Sequence, residues 1–173
     1  MLRRRQSKVG EVARERKGEI MALFNAAGEP LPPLFLGVYG RRKVGKTALL
    51  LSAFPGALFV GITASIKSVA EENLGFTPAI LGEPPYDFYP APSNLEELRE
   101  FQRQLTASGW ADQFSAVVYD DAGHLYRSTY MQIERGLAAR EKASAYTKTQ
   151  AVGFEVCSEA RQLGITTAWS LHE

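Results

Sequence analysis

Cys157 is the only cysteine in the chain, so no internal disulfide can form and a reducing compartment, the cytoplasm, is expected. Long apolar runs are missing too. No segment approaches the roughly 20 residues that a membrane-spanning helix needs, and the arginine-rich N-terminus lacks the apolar stretch of a secretion signal. Excess charge is also small, +1 over 173 residues. What imbalance exists sits at the front, where Arg3, Arg4, Arg5, Lys8, Arg14, Arg16 and Lys17 face only Glu11, Glu15 and Glu19. The remainder is therefore slightly acidic, which excludes a basic nucleic-acid platform in the body of the protein. No internal repeat is present.

The composition that remains, 45% hydrophobic and 23% charged, is that of a soluble globular protein. Residues 1–28 read as a basic arm. It would meet a phosphate backbone or an acidic partner, or simply form a solvated terminal helix. Ile20, Leu23 and Phe24 give it a short apolar period that Gly28 ends, and Pro30, Pro32 and Pro33 stiffen the connector that follows. Residues 29–173 read as a single domain.

Within that domain apolar runs alternate with helical periods. Leu34–Tyr39 has the unbroken pattern of a strand covered on both faces. A short helix over Lys46–Phe54 is stopped by Pro55-Gly56, and Ala57–Ile62 makes a second buried strand. Residues 65–74 fit a short helix capped by Ser65. The proline-rich stretch from Pro78 to Pro92, with Tyr86, Phe88 and Tyr89 interleaved, leaves room for a brief edge strand near 86–89. Ser93 and Glu96 form a capping box before Leu95, Leu98, Phe101 and Leu105, a helix that Gly109 closes. Ser115–Tyr119 is a third buried strand. Helical sequence resumes over His124–Lys142 and Thr147–Leu163, and Ile165–Leu171 is a fourth strand. This order predicts a three-layer α/β core with a mainly parallel sheet and right-handed crossovers. The chain ends at the tip of the fourth strand, so either the fold is minimal or the domain is truncated at its C-terminus.

Gly40-Arg41-Arg42-Lys43-Val44-Gly45-Lys46-Thr47 matches the phosphate-loop pattern GxxxxGK[ST] at every fixed position. Gly40 lets the chain leave its strand sharply, and Gly45 lets backbone approach an anion with no Cβ between. The N–H groups of the loop and of the first helical turn, through Ala48, would point at the anion, backed by the positive end of the helix. Lys46 would reach the β- and γ-phosphates of a nucleotide and the Thr47 hydroxyl would hold Mg²⁺. Arg41 and Arg42 either add charge against the phosphates or lie in solvent. Ala116-Val117-Val118-Tyr119-Asp120-Asp121 supplies the second half: an apolar strand ending in an acid at the edge where open parallel sheets bind ligands. Asp120 would hold Mg²⁺. Asp121 would orient the attacking water or cap the next helix. Thr47 and Asp120 stand 73 positions apart with strand-like segments between them, which suggests an extra strand between the two motif strands.

On these residues the chain resembles the RecA-like P-loop ATPases of bacteriophage recombination modules, relatives of RecA and RadA. The resemblance spans roughly 34–173. It rests on the loop, on Ala53-Phe54-Pro55-Gly56-Ala57-Leu58-Phe59-Val60, on Val117–Asp121 and on Ile165–Glu173. It implies ATP as ligand, Mg²⁺ as its metal, DNA as partner, a homo-oligomeric ring or filament, and His172 as a γ-phosphate sensor unless it is an ordinary surface histidine. Arg127, Arg135 and Arg140 are then candidates for an arginine acting in trans. One departure stands out: the glutamate such enzymes carry just after the second strand is missing from Gly61-Ile62-Thr63-Ala64-Ser65. A DNA-packaging motor shares the same core, and a non-hydrolysing assembly module would need no glutamate. A small-molecule kinase would need a lid that the sequence does not display. A GTPase would need an aspartate where Gln150 ends Thr147-Lys148-Thr149-Gln150. Tyr86, Phe88 or Tyr89 would stack on adenine or pack locally.

Overall fold

A computed structural model describes residues 33–172; the basic arm, the apolar period at 20–24 and Glu173 lie outside them. Five strands form one parallel sheet: β1 (Phe35–Gly40), β2 (Leu58–Val60), β3 (Ala79–Ile80), β4 (Ala116–Tyr119) and β5 (Thr166–His172), in the order β1-β5-β4-β2-β3. The helices are α1 (Lys46–Ala53), α2 (Thr63–Val69), α3 (Leu95–Ala107), α4 (Ala122–Gly136) and α5 (Ala145–Gln162).

Strand alternation sorts the core into two halves. Phe59, Ala116, Val118 and Ala168 pack with Leu50, Leu51 and Phe54 of α1 and Ile66 of α2. Leu58, Val60, Val117, Tyr119 and Trp169 pack with α3, α4 and α5 through Leu98, Phe101, Leu125 and Val156. Connections that move outward from β1 to β3 thus carry their helices on one face, and those that return carry theirs on the other, as one crossover hand requires. The three-layer α/β expectation holds.

Several local expectations shift. β1 is not covered on both faces. It is an edge strand among the described residues, with Phe35 and Tyr39 exposed. The strand between β1 and β4 is the last one, β5, while the segments that intervene in sequence lie on the far side of β4. The brief edge strand is Ala79–Ile80, and 86–89 is turn. Pro84, Pro85, Pro90 and Pro92 deprive that stretch of ladder donors. Its aromatics pack on other rings, Tyr86 on Phe114, Phe88 on Trp110 and Tyr89 on Phe101. Helix α2 starts at Thr63, two residues before Ser65, whose N–H already bonds Ile62 O. The long helix expected to Lys142 stops at Gly136, where Leu137 turns extended, and a 3₁₀ segment over Ala139–Ser144 leads into α5.

The capping box of α3 sits one residue later than the sequence suggested. Asn94 is the N-cap and its side chain accepts from the Glu97 N–H at 2.9 Å, while the Glu97 carboxylate returns to Ser93 N, Ser93 Oγ and Asn94 Nδ2. Asn is as good a cap as Ser, and two carboxylates follow, so the pattern fits either register. Asn94→Ala should cost about 1 kcal/mol in urea unfolding. The Ser93 N–H, then its hydroxyl, hold the Glu97 carboxyl below its usual value of 4.5. Its contribution is therefore full above that value and fades as pH falls through the depressed one. Glu97→Gln should flatten this acid limb of the stability curve.

Candidate functional site

Both motifs converge at the C-terminal ends of the central strands. The register sets Gly40 of β1 opposite His172 of β5 and Tyr119 of β4 opposite Trp169 of β5. The loop leaving β1 and the turn leaving β4 therefore flank the tip of β5. They depart toward opposite faces of the sheet, which opens a crevice between them.

The loop over 41–45 is exposed, Arg41 and Arg42 included. Lys43 and Gly45 both have left-handed backbone, with φ of 62° and 88°. Among the described residues no backbone carbonyl accepts from the N–H groups of Val44 to Ala48; the first backbone bond of the run is Leu49 N–H to Gly45 O at 2.9 Å. These donors, without a backbone partner among the described residues, stand at the head of an eight-residue helix, an arrangement suited to an anion. Lys46 is 7% exposed, and its ammonium is folded back over the loop onto Gly40 O (2.8 Å), Arg41 O (2.7 Å) and His172 Nδ1 (3.0 Å).

Across the crevice Thr47 Oγ1 donates to Asp120 Oδ2 at 2.9 Å, with Oδ1 at 3.2 Å. Asp120 Oδ1 also accepts from Ser170 Oγ at 2.6 Å, and Asp120 N–H bonds Val60 O at 2.8 Å. Ser170 Oγ in turn accepts from the Asp121 N–H at 2.8 Å. Pairing of β4 with β5 ends at Tyr119, so this hydroxyl replaces the next ladder acceptor. Asp121 occupies the N-cap position of α4 with φ 56°, but its side chain makes no capping bond. It faces His172 Nε2 at 3.4 Å instead. Of the two roles open to Asp121, capping is the one its geometry does not take.

The structure thus gathers Gly40, Lys46, Thr47, Asp120, Asp121 and His172 into one network. Ser170 joins it without having been singled out from sequence; a serine two positions before the end of an apolar strand is the signal that could have found it. Gly61 is the second omission. A Cβ there would lie 2.6 Å from Asp120 O, so this position tolerates no side chain. The absence of a carboxylate just after β2 has a steric cause at that residue. Arg127, Arg135 and Arg140 are exposed and stand apart from the network.

The Asp120 carboxylate and Thr47 hydroxyl are hard oxygen donors held within hydrogen-bond distance, a donor pair suited to Mg²⁺. Among the described residues no group of three or more His, Cys, Asp or Glu could hold a metal, so further ligands would come from water and phosphate, the usual pattern for that ion. The guanine-type segment Thr147–Gln150 lies inside α5, with Thr149 buried and bonded to Ala145 O. It cannot act as a base-recognition loop. No described helix is long and apolar enough to cross a membrane.

Gly61→Ala should lower stability by about 1–3 kcal/mol, as overpacking does, because backbone rather than a flexible tip must move. Gly136→Ala, where an added Cβ meets nothing within 4 Å, should leave it unchanged or raise it. Urea unfolding of the pair separates a steric effect at Asp120 from a generic glycine effect.

A comparison with protein-family models finds no match to the chain, and no curated protein matches it.

Proposed function

We propose that the chain is a Mg²⁺-dependent ATPase of RecA-like P-loop type that couples hydrolysis to DNA transactions. One observation carries the nucleotide part. Thr47 and Asp120, 73 residues apart, meet at 2.9 Å beside the buried Lys46 and a run of loop N–H groups with no backbone partner among the described residues. A phosphate chain bound there would take the backbone donors and Lys46, and Thr47 and Asp120 would hold the metal that neutralises its charge. The position of β5 between β1 and β4 favours the RecA-like branch over enzymes that set the two motif strands side by side. The helical setting of Thr147–Gln150 favours ATP over GTP.

DNA and self-assembly rest on the resemblance and on the basic arm, with the exposed Arg127, Arg135 and Arg140 available to a neighbouring subunit. A packaging motor is the nearest variant of this reading. A non-hydrolysing assembly module is a second reading, and the steric bar at Gly61 favours it, since that stretch contributes no carboxylate to activate water.

Calorimetry with Mg-ATP and Mg-GTP tests the site. Lys46→Ala should weaken Mg-ATP binding about 10- to 100-fold, the usual loss for a charged hydrogen-bond partner. Asp120→Asn should weaken binding with Mg²⁺ present but not in chelator. Turnover unaffected by Lys46→Ala would undo the site assignment, and binding without turnover, with or without DNA, would favour the module.

A further inference from the structure

Lys46 makes three hydrogen bonds, and an ammonium has three protons. Gly40 O, Arg41 O and His172 Nδ1 take one each. An ammonium has no lone pair, so Nδ1 is the acceptor in that contact. A neutral imidazole then carries its proton on Nε2, which is the nitrogen facing Asp121 Oδ1 at 3.4 Å. The Asp121 carboxylate is available for this because it caps nothing, and its backbone is pinned by Ser170 Oγ. The charged groups meeting His172 are thus Lys46 from the head of α1 and Asp121 from the β4–α4 turn. Asp120 is engaged separately by Thr47 and Ser170.

Resting on the ATPase reading, we infer that His172 is the proton acceptor for the attacking water, that Asp121 is its positioning residue, and that Lys46 is a latch that frees the imidazole only when phosphate is bound. In the arrangement described, the Nδ1 lone pair is occupied. A triphosphate that draws Lys46 onto its own oxygens breaks that contact and uncovers the lone pair within reach of the group Lys46 has moved to. The water oxygen then bonds to the γ-phosphorus while the bridging P–O bond breaks, its electron pair leaving with the diphosphate. The water's proton passes to Nδ1. The imidazolium so formed directs its second N–H at Asp121, whose carboxylate stabilises the positive charge, and the proton is released to solvent with the phosphate. This arrangement supplies from β5 what the stretch after β2 lacks, and it ties base activation to occupancy of the loop.

Mg-ATP binding and single-turnover hydrolysis would be measured for wild type, His172→Gln, Asp121→Asn and the double variant. All four should bind alike within a few-fold. His172→Gln should hydrolyse at least about 100-fold more slowly, the lower range for loss of a general base. Asp121→Asn should also slow, and the double variant should be no slower than His172→Gln alone, because Asp121 acts only through the imidazole. A His172→Gln variant that still turns over, additive losses in the double variant, or a wild type that binds without hydrolysing would each overturn the inference while leaving the binding site standing. A wild type that does not bind would remove the ATPase reading and the inference with it. Independently of nucleotide, ¹⁵N NMR of the two histidines, assigned with His172→Gln, should find His172 protonated at Nε2; a proton on Nδ1 would overturn the latch.

Discussion

A carboxylate at the mouth of a buried strand has to be held by hydrogen bonds, because removing it from water without partners costs several kcal/mol. Asp120 is 7% exposed. It accepts there from the Thr47 and Ser170 hydroxyls while its N–H completes the ladder to β2. Those bonds fix more than one side chain. Thr47 ties the head of α1 to β4, and Ser170 ties β5 to the turn at Asp121. The ends of β2, β4 and β5 and the head of α1 are thereby locked together through a single acid.

The sheet makes that lock possible. β2, β3 and β4 are buried along their whole length and apolar throughout, while β5 carries its polar residues toward its two ends. β1 is different. It sits at the edge, and its exposed Phe35 and Tyr39 accompany an apolar cavity of about 190 Å³ lined by Phe35, Leu95, Tyr126, Cys157 and Trp169, among others. Burial pushes the Cys157 thiol above its ordinary value, so it stays protonated and behaves as a small apolar group. The polar chemistry of the molecule is thus gathered at the sheet's C-terminal edge, and this flank is apolar.

Much of this was legible in the sequence, because local patterns encode it directly. Apolar runs marked β2, β4 and β5, helical spacing marked α3, and the fixed residues of the loop named Lys46 and Thr47 before any coordinate did. What was not legible depends on partners remote in sequence. An apolar run does not say whether elements remote in sequence cover both faces, so Leu34–Tyr39 read as covered on both although Phe35 and Tyr39 are exposed. Adjacent Ser93 and Asn94, followed by Glu96 and Glu97, offer two capping registers of similar energy. Ser170 acquires its role only because the register of β4 with β5 stops one residue short of Asp120. Gly61 looks like any glycine until the Asp120 carbonyl is placed 2.6 Å from where its Cβ would be.

Backbone strain follows the same logic. Lys43 and Asp121 are the described non-glycine residues with left-handed φ, a conformation that costs on the order of 1 kcal/mol and survives only where the surroundings enforce it. One lies in the loop leaving β1 and the other in the turn that faces it across β5. At Asp121 the enforcing contact is visible: Ser170 Oγ holds its N–H, and the left-handed turn is associated with a side chain aimed at His172 rather than at the first turn of α4, where the His124 N–H bonds Asp121 O instead. A side-chain cap stabilises a helix by about 1 kcal/mol. Forgoing it leaves a partly buried carboxylate facing His172, so the chain gives up helix stability at the point where that acid meets its neighbour.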